Sequence, residues 1–228
     1  MKHGFLVACA LVLLAGCGHE RTGSGTASLW ITRDRGASVL LVQTVPAGLT
    51  AMQALDRKAD ISTRYGGRYV QSIDGVEGDI SKRHDWFWFL NGIEADRSAA
   101  EYRLRPGDVE WWDYRSWKRD IHVPVVVGAF PEPFLHGYAG KTRDAAIVYD
   151  SKALEPQARA LGKLIHAKAV TADEIGNANV LFLTKANVPL SATSSGAGKP
   201  VRFVIGPTAA KRLLDDPKLV RFRYSGLP

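Results

Sequence analysis

Asp85-Trp86-Phe87-Trp88-Phe89-Leu90-Asn91-Gly92 is the stretch on which the fold turns. Alternate side chains of an extended strand lie on opposite faces, so Trp86, Trp88 and Leu90 oppose Phe87 and Phe89. Asn91-Gly92 closes the run with a strong two-residue hairpin signal, because both residues accept the positive φ of a type I′ turn. Downstream, Arg105-Pro106-Gly107-Asp108 forms a turn before a second aromatic strand over 109–114. There Trp111 and Asp113 oppose Trp112 and Tyr114. One aromatic face must pack on a helix; the other exposes several indoles unless a ligand or a second domain covers it.

The segments before this stretch supply its partners. Residues 29–33 and 39–44 read as strands joined by Asp34-Arg35-Gly36, and Pro46-Ala47-Gly48 breaks the chain. Thr50 is a good N-cap for a helix that places Met52, Leu55 and Ala59 on one face. Residues 68–73 form another strand, ended by Asp74-Gly75. Two strands, one helix and several more strands fit a mixed sheet crossed by a helix, the β-grasp arrangement, over residues 29–118.

From 119 to 228 the grammar changes to alternating strands and helices. Apolar runs at 123–127, 145–149, 180–183 and 201–205 read as strands. Leu154, Ala158, Leu161 and Ile165 mark a helix face, and Pro207 opens a helix through Leu214. Residues 219–224 read as a last strand, and the Gly/Ser-rich stretch 192–199 as a surface loop. The expectation is α+β overall: a β-grasp domain, then a small α/β domain of three to five strands. Pro131-Glu132-Pro133-Phe134 reads as a rigid connection between them.

Residues 1–16 have the three-part form of an export signal: Lys2, an apolar run from Phe5 to Leu14, then small residues. The run is too short to cross a hydrocarbon core of about 30 Å and reads as a processing signal. It ends in Leu14-Ala15-Gly16-Cys17, which resembles the lipobox of bacterial lipoproteins. That resemblance implies lipidation of Cys17 and anchorage on the extracytoplasmic face of the cell membrane. Residues 18–28, polar and rich in Gly, Ser and Thr, read as a flexible tether, which with Cys17 makes the segment 17–28. The other cysteine, Cys9, lies within the signal, so a cysteine zinc site, a redox pair and an internal disulfide are excluded. Export argues against a nucleic-acid partner for the net charge of +7, which instead favours anionic headgroups or acidic wall polymers.

The aromatic run, with Glu101-Tyr102-Arg103, Gly107-Asp108, residues 109–115 and Ser116-Trp117, resembles the bacterial family related to the C-terminal domain of transcobalamin and intrinsic factor, of the DUF4430 type. The resemblance spans roughly residues 30–117. It implies a soluble-ligand-binding β-grasp, with cobalamin or another corrinoid as the ligand class and a membrane importer as partner. The chain has no room for the helical barrel that completes the site in the vitamin carriers.

Five of the six tryptophans (Trp86, Trp88, Trp111, Trp112 and Trp117) cluster in this region. Flat indoles suit a planar macrocycle, a sugar or a protein partner. The candidate ligand-binding residues are Trp86, Trp88, Trp112 and Tyr114, with Tyr69 on a neighbouring strand. No catalytic motif is complete. Gly140-Lys141-Thr142 resembles the end of a phosphate loop, but Leu135 stands where its leading glycine belongs. No two histidines share helical spacing, and Asp74, Glu77 and Asp79 lack the spacing of a calcium loop. The expectation is a binding protein without catalytic residues, metal or resident cofactor. The competing expectation is an envelope interaction protein that docks a partner through its aromatic surface.

Overall fold

In the computed structural model, residues 25–169 and 175–227 are described; the signal, Cys17 and most of the tether lie outside them. Strands β1 (Thr26–Arg33) and β2 (Ser38–Pro46) pair antiparallel. Their connection works because Asp34, Arg35 and Gly36 all take positive φ. Helix α1 (Ala51–Asp56) starts at a reciprocal cap: Thr50 Oγ1 accepts from Gln53 N at 3.1 Å, and Gln53 Oε1 from Thr50 N at 2.9 Å. Strands β3 (Ile61–Arg64), β4 (Tyr69–Ile73) and β5 (Val76–Glu77) make a small antiparallel sheet. Then follow β6 (His84–Leu90), β7 (Ile93–Glu94) and β8 (Val109–Ser116).

The main sheet runs β2-β1-β8-β6-β7, with β1 parallel to β8 and every other neighbour antiparallel. This is the expected β-grasp arrangement. The tether ends earlier than expected: Ser28, assigned to it, already pairs with Val109 inside β1. Strand β3 gave no signal because three of its four residues are exposed and polar.

The second sheet is built from β9 (Ala145–Tyr149), β10 (Lys168–Ala169), β11 (Asn179–Leu183), β12 (Ser191–Ser194) and β13 (Val201–Ile205), in the order β10-β9-β11-β13-β12. All neighbours are parallel except β12, which forms the antiparallel edge. A short helix, α2 (Glu132–Leu135), precedes this sheet, and α3 (Glu155–Leu164) and α4 (Pro207–Asp215) accompany it. Ala158, Leu161 and Ile165 are buried as the helical spacing required.

Three expectations fail here for identifiable reasons. Residues 123–127 form no full strand: Val125 makes a single antiparallel bridge to Ile93 of β7, with Val126 N donating to Gly92 O and Glu94 N to Pro124 O, before a 3-10 turn begins at Val127. Residues 219–224 are no strand either. A 3-10 turn (Pro217–Val220) precedes Phe222 and Tyr224, which pack on the first sheet. The 192–199 loop begins inside β12 and turns only after Ser194.

Candidate functional site

Both faces of the aromatic sheet are covered. The inner face carries Trp86, Trp88, Leu90, Trp112 and Tyr114, packed in one core with α1 residues and with Val70 and Ile73 of β4. The outer face carries Trp30, Phe89 and Trp111 beneath Val126, Ala129, Phe222 and Tyr224. Of the outcomes the sequence left open for the second face, exposure or cover by a second domain, the structure shows cover, and Trp86, Trp88, Trp112 and Tyr114 are 5%, 9%, 3% and 9% exposed. Their polar atoms are engaged too. Trp86 Nε1 donates to Val76 O at 2.8 Å, Trp88 Nε1 to Arg97 O at 3.1 Å, and Tyr114 OH to Glu77 O at 3.1 Å.

What remains accessible is a groove of about 740 Å³, a size suited to a small molecule. The aromatic stretch forms one wall, with Trp86, Phe87 and Trp88, and Tyr69 stands beside them. Trp117, Ile121, His122 and Pro124 come from the segment between the sheets, and Ser195, Gly196 and Ala197 from the loop after β12. Of the five residues expected to bind ligand, Tyr69, Trp86 and Trp88 line this groove. Trp112 and Tyr114 do not; Trp112 stacks on Trp88 at 5.9 Å and Tyr114 lies 5.2 Å from Trp86.

The groove has an acidic edge of Asp85, Glu94 and Asp96. Asp85 Oδ1 accepts from Trp86 N at 2.8 Å, and its other oxygen accepts from Tyr69 OH. Burial and then Asp85 raise the Tyr69 phenol well above its usual range. Asp96 accepts from Tyr138 OH at 2.5 Å and Arg97 Nε at 3.1 Å. Although burial opposes it, these bonds hold the Asp96 carboxyl below its ordinary value. Tyr138, in turn, is pushed up to about 12, first by burial and then by Asp96.

The far wall is fixed by Arg115, fully buried on β8. Its guanidinium lies 3.6 Å from the Phe87 ring centroid and donates to Asp120 O at 2.7 Å and Ile121 O at 3.0 Å. Sequence reasoning missed Asp85, Glu94, Asp96, Trp117 and the 195–197 loop as lining residues. Asp85 was legible as the polar neighbour of the aromatic run. The loop was not, because nothing local ties residue 196 to residue 88.

The weaker motifs do not assemble. Asp74 caps Asp60 N, Glu77 takes Arg64 and Gln71, and Asp79 takes Ser81 and Lys82. Among the described residues no three His, Cys, Asp or Glu side chains could hold a metal ion together. His84 lies against Tyr114, and His136 Nδ1 meets Glu132 Oε2 at 2.6 Å.

Comparison with known proteins adds the following. A family described as a domain of unknown function, DUF4430, matches residues 48–116, which bears out the resemblance over that stretch. A "putative metal binding protein" from Ruminococcus gnavus ATCC 29149 is similar at 15% identity and a TM-score of 0.34, over 40% of this chain and 97% of that one. Haptocorrin in complex with Cbi is similar at 16% identity and a TM-score of 0.33, over 40% of this chain and 25% of that one. No curated protein matches this sequence. The residues that match DUF4430, 48–116, run from just before α1 to the end of β8.

Proposed function

We propose that this protein is a lipid-anchored binding protein of the cell envelope that captures a small soluble ligand in the β6 groove, without catalysing its conversion. The observation that carries the reading is the groove itself: tryptophan edges and Tyr69 on one side, the 195–197 loop of the second sheet on the other, in about 740 Å³. Aromatic walls favour a flat apolar body. The acidic edge favours hydrogen-bond donors or positive charge at that body's periphery. A corrinoid, a planar ring fringed with amides, has this chemistry, and the transcobalamin-like run of residues makes it the first ligand to test. The second sheet takes the place of a separate domain in closing the groove. Anchorage through Cys17 would keep the binder near an importer and raise the local ligand concentration there.

The test is indole fluorescence of the purified protein titrated with hydroxocobalamin and cyanocobalamin, corrected for absorption by the ligand. Saturable quenching is expected. It should weaken about tenfold or more in Trp117→Ala, which removes a large contact face from a groove-lining residue. A flat corrected trace would reject corrinoids as the ligand. A docking role has its own observation, away from the aromatic surface first expected to carry it: among the described residues β2 is the edge of the main sheet, with Val39, Leu40 and Val42 about half exposed. It predicts a cross-linked protein partner that is lost on Val42→Lys.

A further inference from the structure

A second cavity, of about 470 Å³, lies on the other side of the loop that closes the groove. Ser195, Gly196 and Ala197 face the groove, whereas the next two residues, Gly198 and Lys199, line this crevice together with Lys141, Thr142 and Arg143. Its lining has three cationic side chains and no carboxylate, the reverse of the groove with Asp85, Glu94 and Asp96. The cations arrive from two remote segments, 141–143 and 199. Collecting like charges in one concavity raises its potential and is opposed by their repulsion unless an anion occupies it.

The local build holds the two segments in register. Tyr138 and Lys141 close a tight turn, with Lys141 N donating to Tyr138 O at 3.0 Å. Gly137 takes positive φ there, and a Cβ on it would run into Lys141 O. Across the crevice Arg143 Nη2 donates to Gly198 O at 2.6 Å and Nη1 to Asn177 O at 3.3 Å. Arg143 thereby fixes the loop that carries Lys199, leaving the lysine ammoniums and the Thr142 hydroxyl as donors. Gly198 also takes positive φ, with nothing nearer to an added Cβ than Tyr138 at 3.9 Å, which leaves the mouth open.

We infer that this crevice binds a phosphate-class anion, with Lys141, Lys199 and Thr142 as its contacts and Arg143 as the residue that positions them. The site is not a phosphate loop: Gly140-Lys141-Thr142 leads into β9, so side chains replace the helix N-terminus as the source of charge. The inference is independent of what the groove binds.

The probe is inorganic phosphate, titrated calorimetrically into the purified protein against chloride of matched ionic strength. A parallel arm measures flotation with phosphatidylcholine vesicles with and without phosphatidylglycerol, since a lipid headgroup offers the same chemistry. Saturable phosphate binding that weakens about tenfold or more in Lys141→Ala and in Lys199→Ala, but not in the exposed control Lys58→Ala, assigns a free anion. Phosphatidylglycerol-dependent flotation lost in the same two variants, with a flat phosphate trace, assigns a lipid phosphate. Both outcomes support the site. Neither response in the wild-type protein, or responses unchanged in the Lys141→Ala/Lys199→Ala double variant, overturns it. Corrinoid quenching of the indoles is recorded on the same samples, so failure of one site is distinguishable from failure of the other.

Discussion

Asp113 and Glu110 stand on one strand, β8, both buried, on opposite faces of the aromatic sheet. On the outer face Asp113 accepts from Thr32 Oγ1 at 2.6 Å, Gly36 N at 3.1 Å, Arg35 N at 3.2 Å and Tyr224 OH at 2.8 Å. Thr32 Oγ1 also accepts from Trp111 Nε1 at 2.8 Å. On the inner face Glu110 accepts only from Trp112 Nε1, at 2.6 Å, and its Oε2 has no partner among the described residues. Burying a charged carboxylate is costly unless hydrogen bonds replace its water. Asp113 draws such bonds from the β1–β2 turn and from the C-terminal tail, so the same carboxyl that needs partners also fastens the tail across the outer indoles. Glu110 has recruited no distant segment. Burial pushes its carboxyl well above the usual range, against the bond from Trp112, and it stays protonated where Glu in water would ionise.

The largest effect is expected from breaking the well-partnered member. Asp113→Ala leaves four donors without their acceptor, two of them backbone amides of the turn. A loss of at least about 3 kcal/mol follows if several of these groups stay dry. Urea unfolding monitored by indole fluorescence measures it. A loss below about 1 kcal/mol would mean that water takes over the site, and that the fastening role belongs to packing alone.

Glu110 should behave in the opposite sense. An acid whose folded pKa lies above its unfolded one keeps its proton after the unfolded chain has released it. Its contribution to stability is complete below the unfolded value of about 4.3, and it is lost as pH rises from there toward the raised folded value. Glu110→Gln keeps the acceptor for Trp112 Nε1 and cannot ionise. Relative to wild type it should gain stability progressively as the pH is raised from 4 to 8, with almost no gain at pH 4. Two stability profiles that run parallel from pH 4 to 8 would show that Glu110 does not hold its proton in the folded state.

The contrast also explains what could be read in advance. The alternation in Trp86-Phe87-Trp88-Phe89-Leu90, the Asn91-Gly92 turn and the Thr50 cap are decided by neighbours in sequence, and all three appear where expected. The α3 face and the Pro207 start of α4 were legible for the same reason. That neither aromatic face is free was not legible, because the outer cover comes from Phe222 and Tyr224, which local pattern casts as a strand. Asn91 is similar. Local pattern marks it only as a hairpin residue, whereas its side chain is buried, with Nδ2 bonded to Asp108 Oδ1 at 2.8 Å and Gly137 O at 3.0 Å. Of the candidate site, the residues on the β6 wall could be found from sequence. The walls from residues 117–124 and 195–197 are brought there by Arg115 and by the second sheet, long-range events without a local signature.

The smallest effect separates the tail's ring from its hydroxyl. The Tyr224 ring meets Phe89 and Trp111 edge-on, with centroids at 5.7 and 5.8 Å, while its hydroxyl gives Asp113 one of four bonds. Tyr224→Phe keeps the ring and should cost about 1 kcal/mol, the net worth of one hydrogen bond. In an Asp113→Ala background the same change should cost nearly nothing, because the hydroxyl has already lost its acceptor. The difference between those two costs is the coupling between tail and strand. A coupling near zero would place the tail's attachment in its aromatic packing, and the polar contrast between the two faces of β8 would then concern each strand's own stability and not the closure of the sheet.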